Sequence, residues 1–383
     1  MKMFVLAMMD ALKRLFANKG ARMTMVVSIL IYACLYPQPY RGEVVRDVPI
    51  VAVDQDGSTA SREFLRRIHN SDSVEIIATV DGLPAAEAMF FDRKAYGVVI
   101  VPPSFEHDLL KGQNAPVAVY GDGGYFLIYG AFVAAANNAA QSLGAEIRQQ
   151  RLTSVGLDTD AAQTLISPIN QTSVALFNPQ GGFGSYVVPA AFVLILQQTL
   201  LMGIAIMHAG QPARPGIQRV ATPAAYILLY LVWIIVTQLA LPAIYGIPWI
   251  GNIWTLFAVA VPFLIAVNAM GFALTHLIRN RESVVFFLVV QGMPLFFIAG
   301  VAWPMESIPW WIAWAAHIVP STSAIDAFLR VDQMGASVQD VLPTIRLQLA
   351  LAVGYWCIAY VLHDRQFPKA QGNHLKPADT QTS

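Results

Sequence analysis

Charge is scarce in this sequence. Of its 383 residues only 13% are Asp, Glu, Lys or Arg and 56% are hydrophobic, while basic and acidic residues balance at 24 each. A nucleic-acid surface needs a basic stripe, so that partner class is excluded. Cysteine is scarcer still. Cys34 and Cys357 both fall in apolar stretches, which excludes a disulfide framework or a cysteine zinc site and reads as small hydrophobic residues in packed helices. Glycine is nowhere followed by lysine, so the G-x-x-x-x-G-K-[ST] phosphate loop is absent; so are a His-Glu-x-x-His metal pair and a Gly-x-Ser-x-Gly elbow.

What is present is long uncharged sequence. No Asp, Glu, Lys or Arg occurs from Ala221 to Ile278, from Gly184 to Gly210, from Val284 to Met305 or from Leu347 to Leu362. A bilayer-spanning helix takes about 20 apolar residues, and a soluble domain has no use for such runs. The sequence therefore predicts an α-helical integral membrane protein with six spans, near Met23–Tyr36, Tyr186–Met207, Pro223–Tyr245, Ile253–Ile278, Val284–Val301 and Leu347–Leu362. The first and last look short. No span holds a central ionisable residue, which argues against a proton-coupled carrier.

Basic residues orient the spans. Lys2, Lys13, Arg14, Lys19 and Arg22 precede the first, Arg365, Lys369 and Lys376 follow the last, and the intervening loops on that side hold Arg214, Arg219, Arg279 and Arg281. The opposite hairpin, Gly246 to Asn252, holds none. Positive charge stays cytoplasmic during insertion, so both termini are expected inside. Residues 1–20 read as an amphipathic interface helix, with Phe4, Met8, Ala11, Leu12 and Leu15 on one face and Gly20 ending it. We read this stretch as retained rather than cleaved as a signal peptide.

Residues 21–37 form the first span, and 38–183 then lie outside the cytoplasm as an α/β domain. "VPIVAVD", "VEIIATV", "YGVVIVP" and "PVAVYGDGG" read as strands, with "LPAAEAMFF" and "PSFEHDLLKG" as helices and a long helix over Tyr125–Leu152. Ser58 is placed to cap the helix after the first strand. Asp54, Asp56 and Asp122 suggest either a cation site or strand-end turns; their spacing lacks the calcium-loop pattern, which favours turns. The remainder is a five-span bundle, 184–363, and a cytoplasmic tail, 364–383.

"GVAWPMESIPWWIAWAAHIVPSTSAIDAF", Gly300 to Phe328, is as apolar as a span yet cut by Pro304, Pro309 and Pro320. Crossing the membrane here would put the basic tail outside. The segment near 304–328 is instead expected as an outer-face re-entrant or interfacial helix over Ile308–Val319, with its ends marked by prolines and Trp310, Trp311 and Trp314 at headgroup level.

This ordered set, with Gly300, Pro304, Pro309, Trp310, Pro320 and Asp326, resembles the region before the final span in permeases of type-2 ATP-binding-cassette exporters. "VPIVAVDQDGSTASREFLRRI" resembles the start of the insert in their bacterial drug-export branch, and the whole order of segments is similar. "HAGQPARPGIQR" departs from the pattern, since Pro212 and Pro215 leave little room for a regular coupling helix.

The resemblance implies a multi-pass permease in a bacterial inner membrane, not itself an enzyme and binding no cofactor, that exports a hydrophobic or amphipathic compound. ATP and Mg would sit on a separate ATP-binding subunit, alongside a second permease subunit, identical or related, and a periplasmic membrane-fusion adaptor where one is attached. Lys13, Arg14, Arg214, Arg219, Arg279 and Arg281 are the candidate contacts for ATPase docking, although positive-inside topology alone also accounts for them. Gln197, Gln198, Gln238, Asn268 and Gln291 either line an uncharged translocation path or hydrogen-bond between helices. His208, His276 and His363, near span ends, favour helix-end contacts over metal binding. The alternative is a non-transporting membrane receptor or envelope scaffold whose insert binds a ligand or partner; copurification with an ATPase separates the two.

Overall fold

The computed structural model describes residues 1–40, 42, 44–167, 176–178, 182–212, 214–301 and 303–366. Lys369 and Lys376 lie outside the described residues, as does the tail beyond residue 366. The chain divides into two compact units, Val44–Val174 and the remainder.

In the helical unit six helices are long and apolar enough to cross a membrane: Lys19–Tyr40, Gly184–His208, Gln218–Tyr245, Ile253–Leu277, Arg281–Ile298 and Leu342–Asp364. The second and fourth are largely covered by their neighbours, whereas only a small share of the fifth and sixth is buried. Apolar all round, such helices have no solvent face to orient them, and small residues decide which helices approach closely. Gly203 is one: a Cβ there would stand 2.2 Å from Met25 Sδ. Met25, fully buried, lies in a π-helical turn, Met23–Val27, whose Met25 carbonyl accepts a 3.0 Å bond from the Trp233 indole of the third span.

The first and last spans are longer than the uncharged runs suggest. Lys19 and Arg22 are helical at the start of the first, and Arg346 lies inside the last. Cys34 and Cys357 are both exposed on these helices, contrary to the expectation of packed positions, because these two helices turn large faces outward. The N-terminal helix, Lys2–Ala17, packs along the third span and buries Ala7, Ala11 and Leu15 at helical spacing. It ends at Asn18, not at Gly20. Asn18 adopts an extended conformation and its Oδ1 accepts from Ala21 N, starting the next helix, so Gly20 is interior to it.

Between the fifth and sixth spans the expected single helix over Ile308–Val319 is instead a broken pair. Trp310–Ala316 and Pro320–Met334 meet at 89°. Pro309 caps the first helix, whereas Pro320 opens the second, where its missing N–H costs nothing. The second helix starts inside the bundle, which leaves backbone groups to be satisfied away from water. Gln197 of the second span does so by accepting from Ser321 N at 2.8 Å, and it also donates to Ser321 Oγ at 2.9 Å. Gln348 of the last span donates to Pro320 O at 2.7 Å and to Ser323 Oγ at 2.8 Å. Gln197, Ser321 and Gln348 are all fully buried. At the other end of this helix, Asp332 O accepts from Ile250 N and Asp332 Oδ1 from the Trp249 indole, each at 2.9 Å, joining it to the loop between the third and fourth spans. Gln333 donates to Ser185 O, the carbonyl left without its helical donor by Pro189.

The Val44–Val174 unit is an α/β domain. Its sheet has the order β2-β1-β3-β4, with β1 Val48–Asp54, β2 Val74–Val80, β3 Gly97–Val101 and β4 Ala118–Gly121. The first three strands are parallel and β4 is antiparallel to β3. β1 is central and apolar on both faces: Ile50 and Ala52 pack with Phe64 and Phe132, Val51 and Val53 with Ala86. Ser58 Oγ accepts from Ser61 N at 3.0 Å, capping Thr59–His69. The long helix runs Phe126–Ser154, and a further helix, Thr159–Ile166, absent from the sequence reading, is started by Asp158. Glu63 bonds Arg66 and Arg67, and these guanidiniums hold its carboxyl down to about 2.

Replacing either buried glutamine strands polar groups. Gln197→Leu leaves Ser321 N unpaired and is expected to cost about 1–3 kcal/mol. Thermal unfolding of the purified chain reads this as a lowered midpoint, and Gln348→Leu should act in the same direction. A carboxyl depressed on folding stabilises above its unfolded value and loses that contribution as pH falls through the folded one. The melting difference between the parent chain and Glu63→Gln should therefore be present at neutral pH and shrink between pH 4.5 and about 2.

Candidate functional site

The five intramembrane amides sort by whether the fold already uses them. Gln197 is consumed by the broken helix. Gln238 donates to Pro189 O at 3.2 Å, and Asn268 donates to Leu264 O, four residues back in its own helix, at 3.1 Å. Gln198 and Gln291 differ. Neither makes a side-chain hydrogen bond among the described residues, both Gln198 amide atoms and Gln291 Nε2 being buried unpaired, whereas Gln238 and Asn268 leave only the amide oxygen unpaired. They belong to the packed second and fifth spans, and a Cβ on Gly292 would lie 3.8 Å from Gln198 Nε2. Five candidates thus reduce to one pair at a seam, beside the exposed Phe286, Val290 and Met293 of the fifth span.

The basic residues gather at one end of the bundle. Gly20 meets the second and fifth spans there, since its Cβ would stand 3.4 Å from Ile206 Cγ2 and 3.3 Å from Arg281 Nη2. Lys13, Arg279 and Arg281 are exposed, and Arg14 is paired with Asp10 on its own helix. The segment 209–217 holds no helix among its described residues; Gly210 and Gly216 turn it with φ of +71° and +62°. Arg214 and Arg219, from this segment and the start of the third span, line a cavity of about 110 Å³ with His208, His276 and His363. Among the described residues no group of three or more His, Cys, Asp or Glu could hold a metal. His208 bonds the Tyr226 hydroxyl at 2.9 Å, and the rings of His276 and His363 meet edge to face at 5.4 Å.

The far end carries the proline-rich segment. Gly300 has φ +81°, and a Cβ there would stand 2.9 Å from Met305 Cγ, so the turn after the fifth span requires glycine. Gly300 and Asp326 face a common cavity of about 400 Å³ with Glu306 and His317. Pro304, Pro309, Trp310 and Pro320 do not line it; they shape the backbone around it. Trp310, Trp311 and Trp314 are all exposed.

In the α/β unit the three aspartates serve the backbone. Asp54 Oδ1 accepts from Asp56 N and Gly57 N, Asp56 accepts from Phe105 N and Glu106 N, and Asp122 accepts from Gly124 N. Hydrogen bonding, with Ser58 the largest contributor, holds the Asp56 carboxyl below its ordinary range. The sequence reading missed Gln348, a lone amide in an apolar run, whose only signal was its polarity. It also missed Thr222, whose buried Oγ1 has no partner and which lines the arginine-bearing cavity.

A family model described as ABC-2 family transporter protein matches residues 19–361, from the start of the first span almost to the end of the last. The chain is also similar to ABC transporter G family member 20 of Dictyostelium discoideum, 30% identical over 101 residues, which is 26% of this chain and 14% of that relative. The chain thus spans a small part of the length of the curated relative it matches. With the family match reaching into all six candidate spans, this chain is a multi-pass membrane protein that belongs to the ABC-2 transporter family.

Proposed function

We propose that this chain is the permease subunit of an ATP-driven exporter that moves a hydrophobic or amphipathic compound out of the cytoplasm of a bacterium. The observation that carries the reading is the pair of unpartnered amides, Gln198 and Gln291, at the seam of the second and fifth spans. Buried amides without partners are costly in an apolar bundle and are tolerated where a partner arrives from elsewhere. A second permease subunit set against the largely uncovered fifth span would place two such pairs across one path. The surrounding Phe, Val and Met side chains suit an apolar cargo, and the amides orient it without demanding a charge.

In this reading ATP is bound by an ATP-binding subunit, and these 383 residues themselves hold no phosphate loop. Its docking surface is the basic end, through Lys13, Arg279 and Arg281, with Arg14, Arg214 and Arg219 behind them. Positive charge keeps that end, and both termini, in the cytoplasm. The α/β insert then faces the periplasm, where a membrane-fusion adaptor can meet it. Nucleotide-driven closure of two ATPases drives the paired permeases between inward-open and outward-open states, coupled because each ligand favours one of them.

Coexpression with candidate ATP-binding subunits tests the reading. A cognate ATPase should copurify, and the double variant Lys13→Glu with Arg281→Glu should abolish copurification while leaving membrane insertion intact. In reconstituted vesicles, Gln198→Ala with Gln291→Ala should lower export about tenfold, the effect of roughly one or two lost hydrogen bonds in a transition state. An ATPase that never associates, with transport undetected for every apolar cargo tried, overturns the assignment.

A further inference from the structure

The cavity at the basic end is unlike the amide seam, because it combines positive charge with an aromatic wall. Arg214 and Arg219 line it, no Asp or Glu does, and neither arginine forms an ion pair among the described residues. The imidazoles beside them already have neighbours: His208 has Tyr226, and His276 and His363 have each other. Thr222 contributes a hydroxyl that is buried, 5% exposed as a residue, and without a partner. Two guanidiniums and a waiting hydroxyl form a donor set for an anion, since guanidinium pairs with phosphate or carboxylate through charge-assisted bonds.

Part of the lining is aromatic. Phe272 and Trp356 stack with centroids 5.5 Å apart and planes 23° from parallel, and Tyr360 continues this wall. Trp356 and Tyr360 also line a second, almost wholly apolar groove of about 490 Å³ with Val353, Cys357 and Val361, running down the exposed face of the last span. A polar pocket and an apolar groove sharing two aromatic side chains match one kind of molecule, with an acid at one end and a hydrocarbon chain at the other.

We propose that this paired cavity binds an anionic amphiphile, its phosphate or carboxylate head on Arg214, Arg219 and Thr222 and its alkyl chain in the groove past Trp356 and Tyr360. This site is separate from the amide seam and does not depend on the export reading. The occupant comes either from the bilayer, as an anionic phospholipid, or from the aqueous phase as a free amphiphile.

The test uses the full chain in phosphatidylcholine nanodiscs, with radiolabelled dodecyl phosphate as probe and empty nanodiscs subtracted. Saturable binding is expected. Arg214→Gln with Arg219→Gln should weaken it by about tenfold or more, as loss of charged hydrogen bonds does. Lys19→Gln, at the same end but outside the cavity, should leave it unchanged. If the double variant does not fold, as judged by its melting curve, Arg219→Gln alone on an exposed side chain gives the same reading. Displacement by phosphatidylglycerol built into the nanodisc assigns the site to a bilayer lipid, and binding that phosphatidylglycerol does not displace assigns it to a free amphiphile. Absence of saturable binding, unchanged affinity in the arginine variants, or displacement by equimolar inorganic phosphate overturns the proposal, the last because the chain would then contribute nothing.

Discussion

The constraint on which the helical unit depends is that a helix beginning among apolar neighbours must have its first backbone groups satisfied by side chains. The second helix of the broken pair is such a case, and two glutamines from different spans meet its first turn. Pro320 removes one donor from the problem, and Ser321 and Ser323 add hydroxyls that Gln197 and Gln348 engage. The turn thereby joins the second and last spans through one buried polar node. That answers why so greasy a segment is interrupted: its prolines let a helix end at one surface and restart inward.

The same constraint divides the polar residues inside the spans. Gln197 completes the Ser321 amide at a helix start, Gln333 completes the Ser185 carbonyl that Pro189 leaves open, and Gln238, Gln348 and Trp233 donate to further backbone carbonyls. Gln198, Gln291 and Thr222 complete nothing within the described residues. Amides of equal polarity therefore do different things, and their accounts in hydrogen bonds, not their depth, separate scaffold from site.

Much of the architecture was legible because the signals were long or local. Uncharged runs gave six spans, and alternating apolar stretches with turn residues gave the sheet of the insert, down to β2 at Val74–Val80 and the helix at Leu83–Phe91. Span ends were less legible, since Lys19, Arg22 and Arg346 read as boundaries although a helix end can carry charge to the interface. The site was barely legible. Adjacent Gln197 and Gln198 look alike in sequence, and only the packing of helices far apart in the chain gives one a partner at residue 321 and leaves the other without. Arg214, Thr222, His276 and Trp356 likewise come from four separate segments, and no spacing along the chain announces their meeting.

The link from Asp332 to Trp249 and Ile250 has a mechanical consequence. The inward helix is gripped at its nose by the second and sixth spans and at its tail by the loop joining the third and fourth. It works as a crossbar: these four spans cannot tilt independently without breaking buried polar contacts. The fifth span, with few neighbours and a glycine turn at Gly300, lies outside that frame.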